Sequence, residues 1–399
     1  MEASLPSRRR DWLHLGLLFL GGFDLRVTIL AIPPVIPAIH HDLRLDEKSV
    51  AALGSLPVLL LALFAVPGSL LIARLGPRRA LLSGLVLMAA AGALRGIGPA
   101  QFVLFSMTVL MGVAVAVTQP TFPSLVRDWF PARIGLATGV YALGLLVGES
   151  VPASLTIPFV LPLTGNSWEL SLAFWSLPVV AGAALLLAFT RQSRPHVDLP
   201  PTRWWPDWRS LRTWQIGLIM GCASAIYFGL NAFLPDFLRA TGRASLTGAG
   251  LAALNTFQIP ASLLMAVLAH RLIGRRGPFI VTGALNLGGL LGLVLAPGYW
   301  PVVFAGVIGF STALPLVLTL SLPPLLSAPG DVHRLSAAIF TIQYMLAFLA
   351  PLAAGSVWDA TGSAVVGVGL LAAIALLMSL LAVTLRLPRL QRVPAQAHL

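Results

Sequence analysis

The chain has 399 residues, of which 57% are hydrophobic and only 10% are charged, and its mean hydropathy is +0.88. This composition excludes a soluble domain, in which about 25% of residues are charged, and predicts an integral membrane protein. The formal charge of +12 does not point to nucleic acid, because the basic residues stand in short clusters between apolar runs. The expected surroundings are therefore a lipid bilayer, with no nucleic-acid partner.

Apolar runs of membrane-spanning length recur along the chain. A run of about 20 residues crosses a hydrocarbon core of about 30 Å as a helix, and the sequence lacks the period-two alternation of strands. Glycine, proline and charged clusters serve as breaks between the runs. We predict an all-α fold with twelve spans, near residues 12–37, 49–73, 80–98, 101–126, 134–161, 169–190, 214–238, 246–270, 278–296, 300–327, 335–357 and 363–386.

The distribution of arginines predicts the orientation of these spans. When the spans alternate from an inside amino terminus, most basic residues fall in the inner loops, as the positive-inside rule requires. The basic cluster Arg8 to Arg10 precedes a run too long for a signal-peptide core, so we interpret this run as a retained first span. We expect a multi-pass protein of the cell's inner membrane, monomeric, with both termini cytoplasmic.

The chain divides into two similar halves. A Pro-, Arg- and Trp-rich stretch at 191–213 separates a predicted six-helix bundle at 1–190 from a second at 214–399. At a fixed offset of 201 residues, chemically alike residues coincide at equivalent loops and span ends. These pairs are Arg74 with Arg275, Gly76 with Gly277, Thr118 with Thr319, Pro123 with Pro324, Arg133 with Arg334, and Pro34 with Pro235. Two repeats of the same orientation explain them.

Twelve spans in two halves, with a basic loop after the second span of each, resemble the major facilitator superfamily of secondary transporters. The loop SLLIARLGPRR keeps the basic pattern of that family but has Ala73 in place of its usual aspartate. The loop AHRLIGRRGP of the second half also lacks the acid. The resemblance implies that these loops gate the cytoplasmic side through Arg74, Arg78, Arg79, Arg275 and Arg276.

Three stretches resemble the cyanate permease and nitroimidazole transporter family within that superfamily. They are Asp24-Leu25-Arg26 followed by Pro34 and Pro37, the loop region 123–148, and the stretch 335–363 with Tyr344 and Pro351. The chain departs from the family at Asp24, where the family has asparagine, and at Glu149, where it has a small residue. The resemblance implies transport of a small anionic or polar solute resembling cyanate, nitrate or nitroimidazole.

Arg26 is an ionised side chain inside a span, which makes it a functional hypothesis by default. It lies about 21 Å along span 1 from Trp12, and Glu149 lies about 22 Å along span 5, so the two charges reach similar depths. Three interpretations remain open. Arg26 and Glu149 form a structural ion pair, or Arg26 binds the substrate, or Glu149 occupies Arg26 until substrate displaces it.

Other polar residues are candidates for a central cavity, because the superfamily lines that cavity mainly with spans 1, 4, 7 and 10. The predicted substrate-binding residues, besides Arg26, are Thr118, Gln119, Tyr227, Asn231, Thr319 and Tyr344. For each hydroxyl, a bond to the backbone of its own helix is the alternative. For Tyr344 the alternative is packing between the halves.

Coupling to protons would need a carboxyl group that titrates, and Asp24 and Glu149 are the candidates. Asp24 lies about 200° around the helix from Arg26 and should point elsewhere. Arg95 is predicted to snorkel to the outer end of span 3. No metal-ligand spacing and no phosphate-binding motif occur, so no metal or cofactor is expected.

These observations predict a secondary transporter working by alternating access, with Arg26 anchoring the solute. Proton-coupled efflux of neutral or drug-like compounds is the alternative within transport. An intramembrane enzyme and a non-transporting sensor are alternatives from other classes. Neither the nucleophile and base of an enzyme nor the signalling domain of a sensor stands out in the chain.

Overall fold

A computed structural model describes residues 7–98, 100–190, 203–328 and 330–387. Within these ranges the regular structure is entirely helical. The first half of the chain contains ten α-helices: α1 (Ser7–Leu30), α2 (Ile36–Leu43), α3 (Glu47–Leu75), α4 (Pro77–Leu94), α5 (Gln101–Thr118), α6 (Thr121–Trp129), α7 (Ile134–Leu155), α8 (Leu161–Leu163), α9 (Trp168–Phe174) and α10 (Leu177–Phe189).

The second half contains eight α-helices: α11 (Leu211–Ala240), α12 (Thr247–Thr256), α13 (Gln258–Leu272), α14 (Gly277–Leu295), α15 (Trp300–Leu320), α16 (Leu322–Leu326), α17 (Val332–Thr361) and α18 (Ala364–Thr384). Three short non-α segments accompany them, a 3-10 turn at Pro33–Val35, a π-helical segment at Thr156–Val160 and a 3-10 turn at Ala244–Leu246.

The helices confirm the predicted all-α membrane fold. Eleven helical segments in the described part of the chain are long and apolar enough to cross a membrane. They match the predicted spans except the eighth, near 246–270, which is divided into α12 and α13 at Phe257. Pro260 explains this division, because a proline has no N–H to donate to the carbonyl four residues earlier, that of Thr256.

The described residues group into two compact units. The first comprises Met1–Trp129, Val140–Pro206 and Ala328–Ala337, and the second comprises Phe130–Gly139, Asp207–Ser327 and Ala338–Leu399. In the first unit α5 packs against α3 and α4, and α10 packs against α4. In the second unit α14 packs against α15 and α18, and α11 packs against α18. The predicted linker lies partly outside the described residues, and the predicted domain boundaries stay a prediction.

Two spans are broken at corresponding positions of the repeat. Span 4 is interrupted between Thr118 and Thr121, and span 10 is interrupted at Ser321. Pro123 and Pro324, which coincide at the offset of 201 residues, each deprive the carbonyl four residues earlier of its helical hydrogen bond. Paired interruptions of this kind are typical of substrate sites in transporters built from repeats.

Span 1 is also interrupted, and a buried arginine completes the break. Pro33 and Pro34 follow the end of α1 at Leu30, so the last carbonyls of α1 lose their usual donors. Arg95 donates from Nη2 to the carbonyl of Thr28 at 2.8 Å and has an exposed fraction of 0%. The prediction that Arg95 snorkels to the membrane surface was therefore wrong, because this cation caps the negative end of α1 inside the protein.

The first span and α7 lie unusually close because of two glycines one turn apart. A Cβ on Gly144 would clash with the carbonyl of Phe19, and a Cβ on Gly148 would clash with the carbonyl of Phe23. Small residues at such contacts let helix backbones approach each other in membranes. The contact continues directly into the position of Arg26 and Glu149.

We expect Gly148→Ala to lower the free energy of unfolding by about 1 to 3 kcal/mol, because the added methyl group meets a backbone carbonyl that cannot rotate away. The matched control is Gly16→Ala on α1, where nothing lies within 4 Å of the added carbon. That control should gain up to about 1 kcal/mol from helix propensity. Denaturation in mixed detergent micelles measures both, and equal effects of the two changes would contradict the close contact.

Candidate substrate site

An ion pair lies at the centre of the first unit. The Nε atom of Arg26 on α1 lies 3.3 Å from Oε1 of Glu149 on α7, and their side chains are only 8% and 15% exposed. Of the three interpretations of Arg26, the two that require a pair with Glu149 agree with this geometry.

Asp24 points away from this pair, as its angular position predicted. Its carboxylate packs against Gly182 on α10, where an added Cβ would clash with Oδ2. The side chain has no exposed surface, and neither carboxylate oxygen has a hydrogen-bond partner among the described residues. Such a carboxyl group is expensive to hold in its charged form, and its role in proton coupling stays a prediction.

In the second unit, two predicted residues belong to one hydrogen-bonded network. The hydroxyl of Tyr227 donates to Oδ1 of Asn255 at 2.7 Å, and Nδ2 of Asn255 donates to Oδ1 of Asn231 at 2.9 Å. Nδ2 of Asn231 donates to the carbonyl of Tyr227 at 2.9 Å. All three residues are partly exposed. The network joins α11 to the last turn of α12.

The remaining candidates of spans 4 and 10 lie at the two helix breaks. The hydroxyl of Thr118 donates to the carbonyl of Ala114 at 2.6 Å, which is the backbone bond recognised as its alternative. Gln119 follows the last residue of α5 as its C-cap, and it is 2% exposed. Thr319 is buried, and its hydroxyl has no hydrogen-bond partner among the described residues. Their roles as substrate ligands stay predictions.

Tyr344 on α17 is buried and stacks on Phe340, with the ring centroids 6.2 Å apart. Its neighbour Gln343 was not predicted. Nε2 of Gln343 donates to the hydroxyl of Ser224 on α11 at 2.9 Å, and its Oε1 has no partner within the described part of the chain. These contacts place a buried amide against α11.

The arginines of the two basic loops bind within their own halves or face outward. Arg78 donates to the hydroxyl of Thr190 at 2.8 Å and to the carbonyl of Leu187, at the end of α10. Arg276 donates to the carbonyl of Val383 at the end of α18 at 3.2 Å. Each loop is thus fastened to the last helix of its half. The other three predicted gate residues are exposed, namely Arg74, Arg79 and Arg275.

Asn255 and Gln343 were not among the residues predicted from the sequence. Asn255 lies two residues before the division at Phe257, in a span that also carries Pro260. A polar amide beside a proline inside an apolar span was a detectable signal. Gln343 carried no comparable signal, because its partner Ser224 lies 119 residues away.

Long apolar helices, paired interruptions and an ion pair at membrane depth define a multi-pass membrane protein of the secondary-transporter class. Comparison with known proteins agrees. The family model of the Major Facilitator Superfamily matches residues 18–351. The chain belongs to this superfamily.

Two transporters of Escherichia coli strain K12 are similar to the chain over most of their length. The cyanate transport protein CynX is 29% identical over 355 residues, covering 87% of this chain and 90% of the relative. The 2-nitroimidazole transporter is 27% identical over 387 residues, covering 95% of this chain and 96% of the relative. The solved structure of the E. coli fucose:proton symporter FucP has a TM-score of 0.71 at 14% identity, covering 93% and 97%, and shows the fold alone.

We expect Glu149→Gln to destabilise the protein by about 3 to 5 kcal/mol, because it leaves the buried Arg26 without its counter-charge. Replacing both partners with glutamine should cost less than the sum of the single changes. The matched control is Asp236→Asn, which removes an exposed pair with Arg239 and should cost at most about 1 kcal/mol. Denaturation in mixed detergent micelles measures the free energy of unfolding of Arg26→Gln, Glu149→Gln, the double variant and Asp236→Asn. Additive losses would show that Arg26 and Glu149 do not act as a pair.

Proposed function

We propose that the protein is a secondary active transporter that moves a small anionic or polar solute across the inner membrane, with both termini cytoplasmic. The observation that carries the proposal is the ion pair of Arg26 and Glu149 inside the membrane-spanning region. In this mechanism the two six-helix halves alternate access to the site, and the basic loops hold each half together through Arg78 and Arg276.

The pair acts as a binding device because an anion has the same acceptor chemistry as the Glu149 carboxylate. An arginine remains protonated at any physiological pH and presents a planar fork of donors that suits carboxylate-like or nitro-like oxygens. Solute therefore competes with Glu149 for Arg26. Breaking the contact between α1 and α7 in one state and restoring it in another couples occupancy to helix movement.

The similar proteins support this class of solute. One relative is described as a cyanate transport protein and another as a 2-nitroimidazole transporter. Cyanate is a small anion, and a nitro group presents two partly negative oxygens. Both suit a single buried guanidinium group better than they suit a wholly apolar pocket.

We expect Arg26→Gln to weaken cyanate binding by about 10- to 100-fold, because a charge-assisted hydrogen bond is lost. In contrast, Glu149→Gln should tighten cyanate binding, since the competing carboxylate is gone. Calorimetric titration of each purified variant with cyanate measures its dissociation constant. Asp236→Asn is the control, and its affinity for cyanate should equal that of the wild type. Unchanged affinity in Glu149→Gln would reduce the pair to a structural role, and unchanged affinity in Arg26→Gln would remove the anchor.

We further propose that transport is coupled to protons through Asp24. This carboxyl group is fully buried against Gly182 on the face of α1 opposite the ion pair. Binding and release of a proton there change the charge held between α1 and α10 without contact with the solute. Buried acidic groups of this kind are typical of proton relays in transporters.

In vesicles containing Asp24→Asn, accumulation of solute driven by a pH gradient should be lost while exchange of labelled for unlabelled solute continues. The reason is that asparagine keeps the shape of the side chain but carries no titratable proton. Vesicles with Asp236→Asn, an exposed acid on α11, should retain both activities. Accumulation by Asp24→Asn at the wild-type level would rule out Asp24 as the coupling group.

A further inference from the structure

We propose that Asn255 is a substrate-recognition residue, and that the substrate of this transporter carries an N–H hydrogen-bond donor. The inference rests on the proposed transport function and narrows its substrate class. It is carried by the network of Tyr227, Asn231 and Asn255, which lies wholly within the second unit.

The network holds Asn255 in a single orientation. Both hydrogens of its Nδ2 are donated, one to Oδ1 of Asn231 and one to the carbonyl of Leu251, each at 2.9 Å. Its Oδ1 accepts from the hydroxyl of Tyr227 at 2.7 Å. Three directed bonds fix the amide, so its remaining hydrogen-bonding capacity points in a defined direction. Such pre-ordering lowers the entropy cost of binding a ligand.

The position of the network indicates that it faces an aqueous cavity. Asn231 lies more than two turns inside the ends of α11, and Asn255 lies in the last turn of α12, in the interior of the apolar span that α12 and α13 form, yet both side chains are partly exposed. Polar groups at such a depth face water-filled cavities or protein rather than lipid. Asn255 also lies beside the division of span 8 at Phe257, and interrupted helices line the binding sites of many transporters.

The unused hydrogen-bonding capacity defines the ligand. An amide has two N–H donors and an oxygen with two lone pairs. Nδ2 of Asn231 donates once among the described residues and retains one hydrogen, while Oδ1 of Asn231 and Oδ1 of Asn255 each accept once and retain one lone pair. The two amides therefore present two acceptors and one donor, with no formal charge.

A surface of this kind fits a small planar solute in which an N–H group stands beside an acceptor atom, such as an uncharged nitrogen heterocycle or an amide. A bare inorganic anion such as cyanate has only acceptor atoms and would leave the remaining lone pair of each amide oxygen without a second donor. Sites built to hydrogen-bond a substrate discriminate strongly against analogues that lack the matching group. The network therefore favours the heterocyclic solutes over the inorganic anions.

The test uses a matched ligand pair, 2-nitroimidazole and its 1-methyl analogue, which differ in the N–H group. We expect the wild-type protein to bind the N–H compound at least about tenfold more tightly than the methylated one. In Asn255→Leu this ratio should fall to about one, mainly through weaker binding of the N–H compound. Titration of the purified full chain in detergent measures the dissociation constants.

Two further variants keep the test decisive. Tyr227→Phe retains the ring and removes only the hydroxyl that orients Asn255, so the ratio should fall even if Asn255→Leu does not fold. Gln215→Leu makes the same amide-to-apolar change on α11 at a position whose side chain donates to Thr384 outside the network, and it should retain the full ratio. A full ratio in both network variants would overturn the proposal.

Cyanate transport separates this inference from the proposed function. A wild-type protein that transports cyanate but binds the two imidazoles equally would overturn the inference and leave the transport function standing. A wild-type protein that binds and transports none of the three compounds would overturn both. Transport of 2-nitroimidazole with at least about tenfold discrimination against its methylated analogue, lost in Asn255→Leu, supports both.

Discussion

The close contact of α1 with α7 is the constraint on which the first unit depends. Gly144 and Gly148 let the backbone of α1 approach α7, and one residue further along α7 the carboxylate of Glu149 meets Arg26. A larger residue at either glycine would separate two buried charges that need each other. The strength of the ion pair therefore depends on helix packing, because the separation of α1 and α7 sets the distance between the two charges.

Proline determines where the remaining polar groups stand. Pro33 and Pro34 follow the end of α1, and the buried Arg95 donates to the carbonyl of Thr28 in its last turn. Other prolines interrupt spans 4, 8 and 10, and candidate residues lie at or beside each of these breaks. Each proline leaves a backbone carbonyl of the span without its helical hydrogen bond. The helix breaks that result are the places where polar side chains lie inside otherwise apolar spans.

The two units differ in the chemistry that they offer. The first carries the charged groups, with Arg26 paired to Glu149 and Asp24 buried on the opposite face of the same helix. The second offers uncharged amides, in which Asn231 and Asn255 form the network with Tyr227. The two halves therefore differ in their site residues, although each has a proline at the corresponding interruption, Pro123 in span 4 and Pro324 in span 10.

The sequence by itself predicted the helical membrane fold and all of its spans except the divided eighth, because hydropathy, charge and proline act locally along the chain. Counting along the helices placed Glu149 at a depth similar to that of Arg26 and made a pair between them one of three interpretations, and the structure shows this pair. Only the tertiary structure decided that Asp24 packs on Gly182, that Arg95 is buried, and that Asn255 joins Tyr227 and Asn231. These contacts depend on the rotation of each helix about its axis. Packing against neighbouring helices sets that rotation, and it cannot be read from sequences that are only weakly amphipathic.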